Sequence, residues 1–518
     1  MVLNKITLRR AVQLICLLGF LWLFLQTEYR GLDELPYPVS LLFRIDPLAA
    51  LADLLAPGPF SWALWPALVL LVLTALFGRF FCGWICPLGT TIDGCGKLTG
   101  RGAHLRSRSW RKIKYLLLFS LTAASFGGVQ LLGLFDPLAI FLRTLTLSLY
   151  PAYNLFLNGL FDVSYQHNIP LVSPLLNGLY PVFRDNLMAF FQPSYTLGLF
   201  TLLVFFSILL LERVERRFWC KNLCPLGALF GLCSSRALLT RQPDGLCHDC
   251  RKCETACRMD AVGEKGQQAG ECIECLDCTD YCPQQRVAFT LTGPRPRQQK
   301  VDVSRRDLLV SVSAGAVIAP VARIAPDSYK LNPYLIRPPG AVAEAEFLRR
   351  CVRCGECMKV CIGQALHPAL LDAGTIGLWT PLLIARLGYC EFNCTLCGQV
   401  CPTGAIRPLP VEEKRKTIIG LAIFDKNRCL PFARQEECMV CEEHCPTAEK
   451  AIVFDEQLVE VGGQVRSLKI PRVLTDRCIG CGICETRCPL DGLSAIRVIN
   501  EIESRRPESL TREIDPYG

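Results

Sequence analysis

Six times along this chain, four cysteines recur at nearly the same spacing, and that repetition limits the fold more than any other feature. Cys247, Cys250, Cys253 and Cys257 have C-x2-C-x2-C-x3-C spacing, as do Cys272, Cys275, Cys278 and Cys282. Such spacing wraps three thiolates round one face of an iron–sulfur cube and sends the fourth to a neighbouring cluster. Zinc sites instead use two short knuckles separated by a dozen or more residues. Four further tetrads fill the C-terminal third. Cys351, Cys354, Cys357 and Cys361 have the standard spacing, as do Cys478, Cys481, Cys484 and Cys488. The first gap is widened in Cys390, Cys394, Cys397 and Cys401, and widened further in Cys429, Cys438, Cys441 and Cys445. Proline follows the fourth cysteine in four tetrads; Arg258 and Ile362 replace it in the other two, and Arg258 is expected to loosen its turn without removing a ligand. Disulfides are a poor competing explanation, because the total of 31 cysteines is odd and disulfide frameworks do not repeat this spacing. Haem is disfavoured as well: there are 5 histidines, no CxxCH, and no histidine in a hydrophobic stretch.

Seven cysteines fall outside the tetrads, and six of them form a second repeat. Cys82-Gly-Trp-Ile-Cys86-Pro-Leu-Gly is followed by Cys95, and Cys220-Lys-Asn-Leu-Cys224-Pro-Leu-Gly by Cys233 at the same interval. Each copy has an Asp-Pro-Leu upstream, at Asp46 and Asp136, so the first half of the chain reads as an internal duplication. Two readings fit Cys82, Cys86, Cys220 and Cys224: ligands of a further iron–sulfur centre, with Cys95 and Cys233 as extra candidates, or reduced thiols packed at helix ends. Cys16, alone in an apolar segment, reads as a packing residue. Asp followed by Pro is ordinary helix-start chemistry. The sharper option makes Asp46 or Asp136 a proton acceptor in quinol oxidation. Asp162, Tyr165 and His167 are weaker candidates of the same kind.

Hydropathy places this duplication. A mean hydropathy of +0.30 is high for a water-soluble chain, whereas 20% charged residues is too many for one lying wholly in lipid. Four apolar stretches approach the ~20 residues of a spanning helix: Ala11–Gln26, Ser61–Phe77, Tyr115–Phe135 and Ser194–Leu211. Lys5, Arg9 and Arg10 precede the first; seven basic residues from Lys97 to Lys114 follow the second; Arg213, Arg216, Arg217 and Lys221 follow the fourth. All three groups should be cytoplasmic, so both CxxxCP motifs should emerge on that side and could face each other. Ser304-Arg305-Arg306-Asp307-Leu308-Leu309 has the layout of a twin-arginine signal, and the weakly apolar run Leu308–Ala325 is expected to be a fifth span. The net charge of +9 is largely this inward-facing flank and calls for no nucleic acid.

These motifs carry resemblances. Residues 241–290 resemble a bacterial two-cluster ferredoxin. The first 290 residues look like the NapH family of membrane quinol-dehydrogenase components, with four spans, two CxxxCP motifs and a ferredoxin tail. The remainder resembles NapG, through Ser304-Arg305-Arg306, the Arg337-Pro338-Pro339-Gly340 segment and the four cluster motifs, so the chain reads as a NapH–NapG fusion. NosR and the MauM/MauN proteins share these parts. In four-cluster electron-transfer subunits, the first motif shares ligands with the fourth and the second with the third. That resemblance implies Cys488 with Cys351, Cys354 and Cys357, and Cys361 with Cys478, Cys481 and Cys484. It likewise implies Cys445 with Cys390, Cys394 and Cys397, and Cys401 with Cys429, Cys438 and Cys441.

The fold expected is a membrane α-helical domain of four spans and a weaker fifth, joined to α+β ferredoxin-like polycluster domains. The boundaries are 1–240 for the membrane domain, 241–295 for the two-cluster domain, 296–330 for linker and fifth span, and 331–518 for the four-cluster domain. Six [4Fe–4S] clusters are expected, with a further centre at the CxxxCP motifs as an open question. The family implies a multi-pass protein of the bacterial inner membrane, with 241–295 cytoplasmic and 331–518 periplasmic. It implies that menaquinol or ubiquinol is the electron source and that a periplasmic cytochrome or a molybdenum or copper reductase is the partner. Whether the chain is itself an enzyme or an electron-transfer subunit stays open. Alternatives are reductant supply or assembly of a copper or haem enzyme, and a cytoplasm-facing adaptor for a soluble dehydrogenase.

Overall fold

The computed structural model describes residues 5–35, 37–58, 60–98, 110–167, 172–243, 250–263, 266–291, 303–324, 332–461 and 464–500. Cys247, several of the basic residues between Lys97 and Lys114, and most of the linker after 291 therefore lie outside the described residues.

The N-terminal half is helical. Helix α1 (Lys5–Gln26) has 22 residues and is, among the described residues, the one helix long and apolar enough to cross a bilayer. At 1.5 Å per residue it is ~33 Å long. The other three expected spans are corrected by the structure. They contain α3 (Trp65–Phe77) and α9 (Gly198–Leu210), each of 13 residues, and α5 (Lys112–Phe126), of 15 residues. α3 ends where expected, at Gly78 (φ 87°), but a 3-10 turn over Trp62–Leu64 takes its start, and α5 ends at Gly127-Gly128, short of the expected Phe135. Between these helices lie α2 (Pro47–Leu54), α4 (Pro87–Leu98), α6 (Pro137–Thr144), α7 (Tyr150–His167), α8 (Val172–Asn186) and α10 (Pro225–Cys233). The expected fifth segment is helical, as α11 (Arg305–Ile324), and lies along α5. A Cβ on Gly315 would run into the Ser120 carbonyl, and one on Gly127 into the Ala319 methyl, so small residues let the two helices approach.

Five two-stranded antiparallel ladders make up the β-structure described. In the 241–291 region, β1 (Thr240–Pro243) pairs with β4 (Val287–Thr290), and the short β2 (Val262–Gly263) with β3 (Gly266–Gln267). In the C-terminal module, β5 (Leu366–Pro368) pairs with β6 (Pro381–Leu383), β7 (Leu421–Phe424) with β10 (Ile496–Ile499), and β8 (Ile452–Val461) with β9 (Gln464–Val473).

The two cysteine-rich modules sit at opposite ends of α1. Near its start, Ile6 N donates to Asp280 Oδ2 (2.8 Å) and Arg9 pairs with Asp277 (2.5 Å), both on the 241–291 module. Just past its end, Glu28 pairs with Lys359, and Asp33 accepts from Thr395 N (2.8 Å), both on the C-terminal module. Two glycines mark the closest approaches, since a Cβ on Gly83 would collide with the Ile273 carbonyl and one on Gly133 with that of Val352. A single apolar core runs through the helices, with Phe20, Phe81, Phe141 and Phe230, and takes in Val352 and Cys354 of the C-terminal module.

Candidate iron–sulfur centres

In the C-terminal module the standard motifs turn on left-handed glycines. Gly355 (φ 88°) and Gly482 (φ 83°) each cap a short helix, placing Cys357 and Cys484 in its first turn. The cysteines then gather in four sets. Cys401 joins Cys351, Cys354 and Cys357. Cys361 joins Cys390, Cys394 and Cys397. Cys488 joins Cys429, Cys438 and Cys441, and Cys445 joins Cys478, Cys481 and Cys484. The sharing is therefore first with second and third with fourth, which overturns the first-with-fourth pairing implied by the four-cluster subunits. The cause is tertiary: the short helices of motifs one and two pack on each other, and so do those of motifs three and four. Spacing alone is silent here, because a fourth cysteine looks the same whichever set receives it.

The surroundings fit thiolate ligands. Backbone N–H groups reach the crossing sulfurs, from Ile406 to Cys401 (3.3 Å) and from Ala495 to Cys488 (3.4 Å), which offsets negative charge. The two pairs of sets are joined by a hydrogen bond from Cys390 N to the Cys481 carbonyl (2.8 Å). The Cys351 set is buried against the helical half, where Ser40 N donates to Glu356 (2.6 Å) and Tyr195 Oη to the Met358 carbonyl (3.1 Å). The Cys429 set borders the surface, with Gln435, Glu436, Glu437 and Met439 exposed, while Cys429 and Cys488 themselves are buried. Among the described residues no three His, Cys, Asp or Glu side chains are grouped to hold a single metal ion. Ligands of a cube each take a different iron and stand further apart than ligands of one ion.

In the 241–291 module, Cys257 lies with Cys272, Cys275 and Cys278, and its sulfur accepts from Ala261 N (3.2 Å). That is the crossing expected from the spacing. Arg241 donates to Cys253 Sγ (3.2 Å), and both stand beside Cys278. Arg258 does not loosen its turn; it is buried and pairs with Asp277 (2.5 Å) and Asp93 (2.9 Å).

The structure also brings Cys82, Cys86, Cys220 and Cys224 together. Cys86 and Cys224 stand at the starts of α4 and α10, accepting from Gly89 N (3.5 Å) and Gly227 N (3.3 Å). Cys82 and Cys220 pack against the core of the 241–291 module beside Cys257 and Cys275. Burial pushes Cys220 up to about 11 and Cys86 and Cys224 further, so thiolates at these three require cations. Cys95 and Cys233 sit nine residues further along α4 and α10, ~13 Å along each helix axis, and so stand away from the four. Cys16 is partly buried on α1. Sequence reading missed Arg79 and Arg217, which stand three residues before each motif and are fully buried beside it. The signal was present, since Arg79-Phe-Phe-Cys and Arg217-Phe-Trp-Cys extend the repeat upstream.

Asp46 and Asp136 behave as the helix-start reading expects, accepting from Leu48 N (2.9 Å) and from Ala139 N (2.8 Å). The duplication also turns the two carboxyls toward each other. Burial and then Asp136 push Asp46 well above the usual range, and burial pushes Asp136 up to about 6. Two helical turns on from Asp136, Arg143 donates to the Arg353 carbonyl (3.3 Å) and lies 4.1 Å from the Trp379 ring centroid, beside the Cys351 set. Asp162, Tyr165 and His167 are exposed near the end of α7.

Comparison with known proteins agrees with the cysteine chemistry. Residues 59–112 and 196–240, one copy per CxxxCP motif, match the 4Fe-4S binding domain family, and residues 434–491 match the 4Fe-4S dicluster domain family. The methylamine utilization ferredoxin-type protein MauM of Methylorubrum extorquens is 37% identical over 205 residues, 38% of this chain and 89% of the relative. The ferredoxin-type protein NapG of Escherichia coli is 34% identical over 197 residues, 38% of this chain and 83% of the relative. The ferredoxin-type protein NapF of Escherichia coli is 29% identical over 160 residues, 31% of this chain and 84% of the relative. No solved structure matches. With its cysteine sets assembled on ferredoxin-like turns and relatives matched over most of their length, the chain belongs to the MauM and NapG family of ferredoxin-type iron–sulfur electron-transfer proteins.

Proposed function

We propose that this chain is a NapH–NapG fusion of the bacterial inner membrane that oxidises menaquinol or ubiquinol and delivers the electrons to a periplasmic cytochrome or reductase. The observation that carries the reading is the placement of two cysteine-rich modules at opposite ends of a helical body ~33 Å long. Large apolar side chains ring that body, among them Trp62 (82% exposed) and Leu199 (71%), a belt that water would not tolerate over such an area. The 241–295 module would then face the cytoplasm, and 331–518 the periplasm, with α11 as the crossing between them.

Six [4Fe–4S] clusters, held by the sets above together with Cys247, would supply one-electron transfer. The protein's own part is to hold the cysteine sets in file, from the Cys351 set buried against the helices to the Cys429 set that borders the surface. Asp46 and Asp136 would take up the proton of the quinol. Cys82, Cys86, Cys220 and Cys224 are read as ligands of one more iron–sulfur centre, supported by their assembly and by the 4Fe-4S binding family matched on both segments.

The test is steady-state oxidation of a reduced menaquinone analogue by the purified, fully metallated chain with an artificial acceptor. Turnover is expected; none, with all clusters intact, sinks the quinol reading and favours reductant supply for enzyme assembly. A topology reporter fused after residue 330 should read periplasmic, and a cytoplasmic signal removes the outward relay.

A further inference from the structure

Arg79 and Arg217 are exchanged between the two halves of the duplication. Arg217, in the second copy, donates to the carbonyls of Cys82 (3.2 Å) and Gly89 (3.4 Å) in the first. Arg79, in the first copy, lies against Gly227 of the second, where a Cβ would stand 2.8 Å from its Nη2. Both are at most 1% exposed. Each guanidinium stands beside cysteines of the CxxxCP motifs, Arg79 beside Cys82 and Cys224, and Arg217 beside Cys220.

Their ionic partners leave charge over. Arg79 shares Glu271 with Lys114, and Arg79 Nε has no hydrogen-bond partner. Arg217 pairs with Asp93 (2.8 Å), which also pairs with Arg258, and Arg258 shares Asp277 with Arg9. The first network thus joins two cations, Arg79 and Lys114, to one carboxylate; in the second, Arg9, Arg217 and Arg258 meet Asp93 and Asp277, with Glu212 accepting from Arg217 N (2.5 Å) at its edge, so the surplus buried positive charge lies at Arg79. A buried charge without a counter-ion is strongly destabilising. What stands beside both guanidiniums is the set of four cysteines. A four-thiolate iron–sulfur centre is a net anion, more negative when reduced, so fixed cations beside it favour the reduced state.

We propose that Arg79 and Arg217 are positioning residues that act as paired counter-charges for an iron–sulfur centre on Cys82, Cys86, Cys220 and Cys224, and that they hold its reduction potential up. This rests on the reading of those cysteines as ligands. One guanidinium from each half, lodged in the other half, also makes the site complete only when both copies are folded together.

The experiment is an EPR-monitored redox titration of the full metallated chain, with iron counted on the same samples. The signal of this centre is identified as the one lost in Cys82→Ser and Cys220→Ser. Arg79→Gln and Arg217→Gln should each shift its reduction equilibrium at least tenfold toward the oxidised form, ~59 mV for one electron, while Arg79→Lys and Arg217→Lys stay near wild type. An intact signal with unchanged midpoint in the Gln variants overturns the counter-charge role while leaving the centre standing. Loss of the signal in the Gln variants with retention in the Lys variants upholds it; loss in both shows that guanidinium shape rather than charge matters and overturns it. Absence of the signal in the wild-type chain, with iron no higher than six four-iron clusters account for, removes the centre itself.

Discussion

Removing the Asp277 carboxylate tests how the 241–291 module is held to the helices. Asp277 is 1% exposed and accepts from Arg9 Nη1 and Arg258 Nε, each at 2.5 Å. In Asp277→Asn, three buried cations share the remaining Asp93. At an effective dielectric near 20, one pair at ~4 Å is worth roughly 4 kcal/mol. Breaking a buried pair by removing one member costs about 3–5 kcal/mol, because the other charge stays behind. Arg9→Gln should cost less, about 1–2 kcal/mol, since Arg258 still pairs with both Asp277 and Asp93, and mainly the hydrogen bonds to Asp277 and the Cys275 carbonyl are lost. Asp307→Asn, at the part-exposed and solvent-screened pair with Lys112 (3.6 Å), should change little. Native-state hydrogen exchange over residues 272–281, on samples with matched iron content, reads these costs as opening equilibria. Asp277→Asn should raise exchange more than 100-fold, since ~1.4 kcal/mol is tenfold. Equal effects of Asp277→Asn and Arg9→Gln would refute the charge count, and an effect no larger than that of Asp307→Asn would refute the buried network as the anchor.

Other outcomes follow from the same geometry. Cys401→Ser should damage the buried cluster beside the helices and spare the one bordering the surface, whereas Cys488→Ser should do the reverse; EPR with a surface relaxing agent distinguishes them, and the opposite assignment restores the first-with-fourth pairing. Gly133→Ala should loosen the docking of the C-terminal module by about 1–3 kcal/mol, because a Cβ meets the Val352 carbonyl, and the thermal midpoint in detergent reports it. Asp136 has its folded value raised to about 6, so its contribution to stability is complete below about pH 4 and lost as pH rises through 6. That loss is on the order of 2–3 kcal/mol, and Asp136→Asn, which keeps a capping side chain, should flatten the pH–stability profile over this window.

What could be read without the structure was local. Cysteine spacing identifies iron–sulfur ligands because three ligands of a cube come from one tight turn, and the left-handed Gly355 and Gly482 supply that turn. Asp46 and Asp136 as helix starts were legible for the same reason: cap and proline are adjacent in the chain. The duplication was visible as repetition, although its boundary was drawn three residues late and so missed Arg79 and Arg217. Apolar length is a weaker guide, because hydropathy does not register the backbone break at Gly127-Gly128 that cuts the third expected span short.

The tertiary structure alone decided everything that depends on partners far apart in sequence. Which set receives Cys401 or Cys488 follows from how four short helices pack, and those choices cost the chain the same spacing. The meeting of the two CxxxCP motifs, the exchange of their arginines and the facing of Asp46 with Asp136 arise when two copies close on each other. By itself the sequence determined which cysteines fall into local sets of three and where helices begin, because those depend on neighbours a few residues away. Only folding determined which cysteines share a cluster and which charges are left over, because burial and pairing are properties of the assembled core.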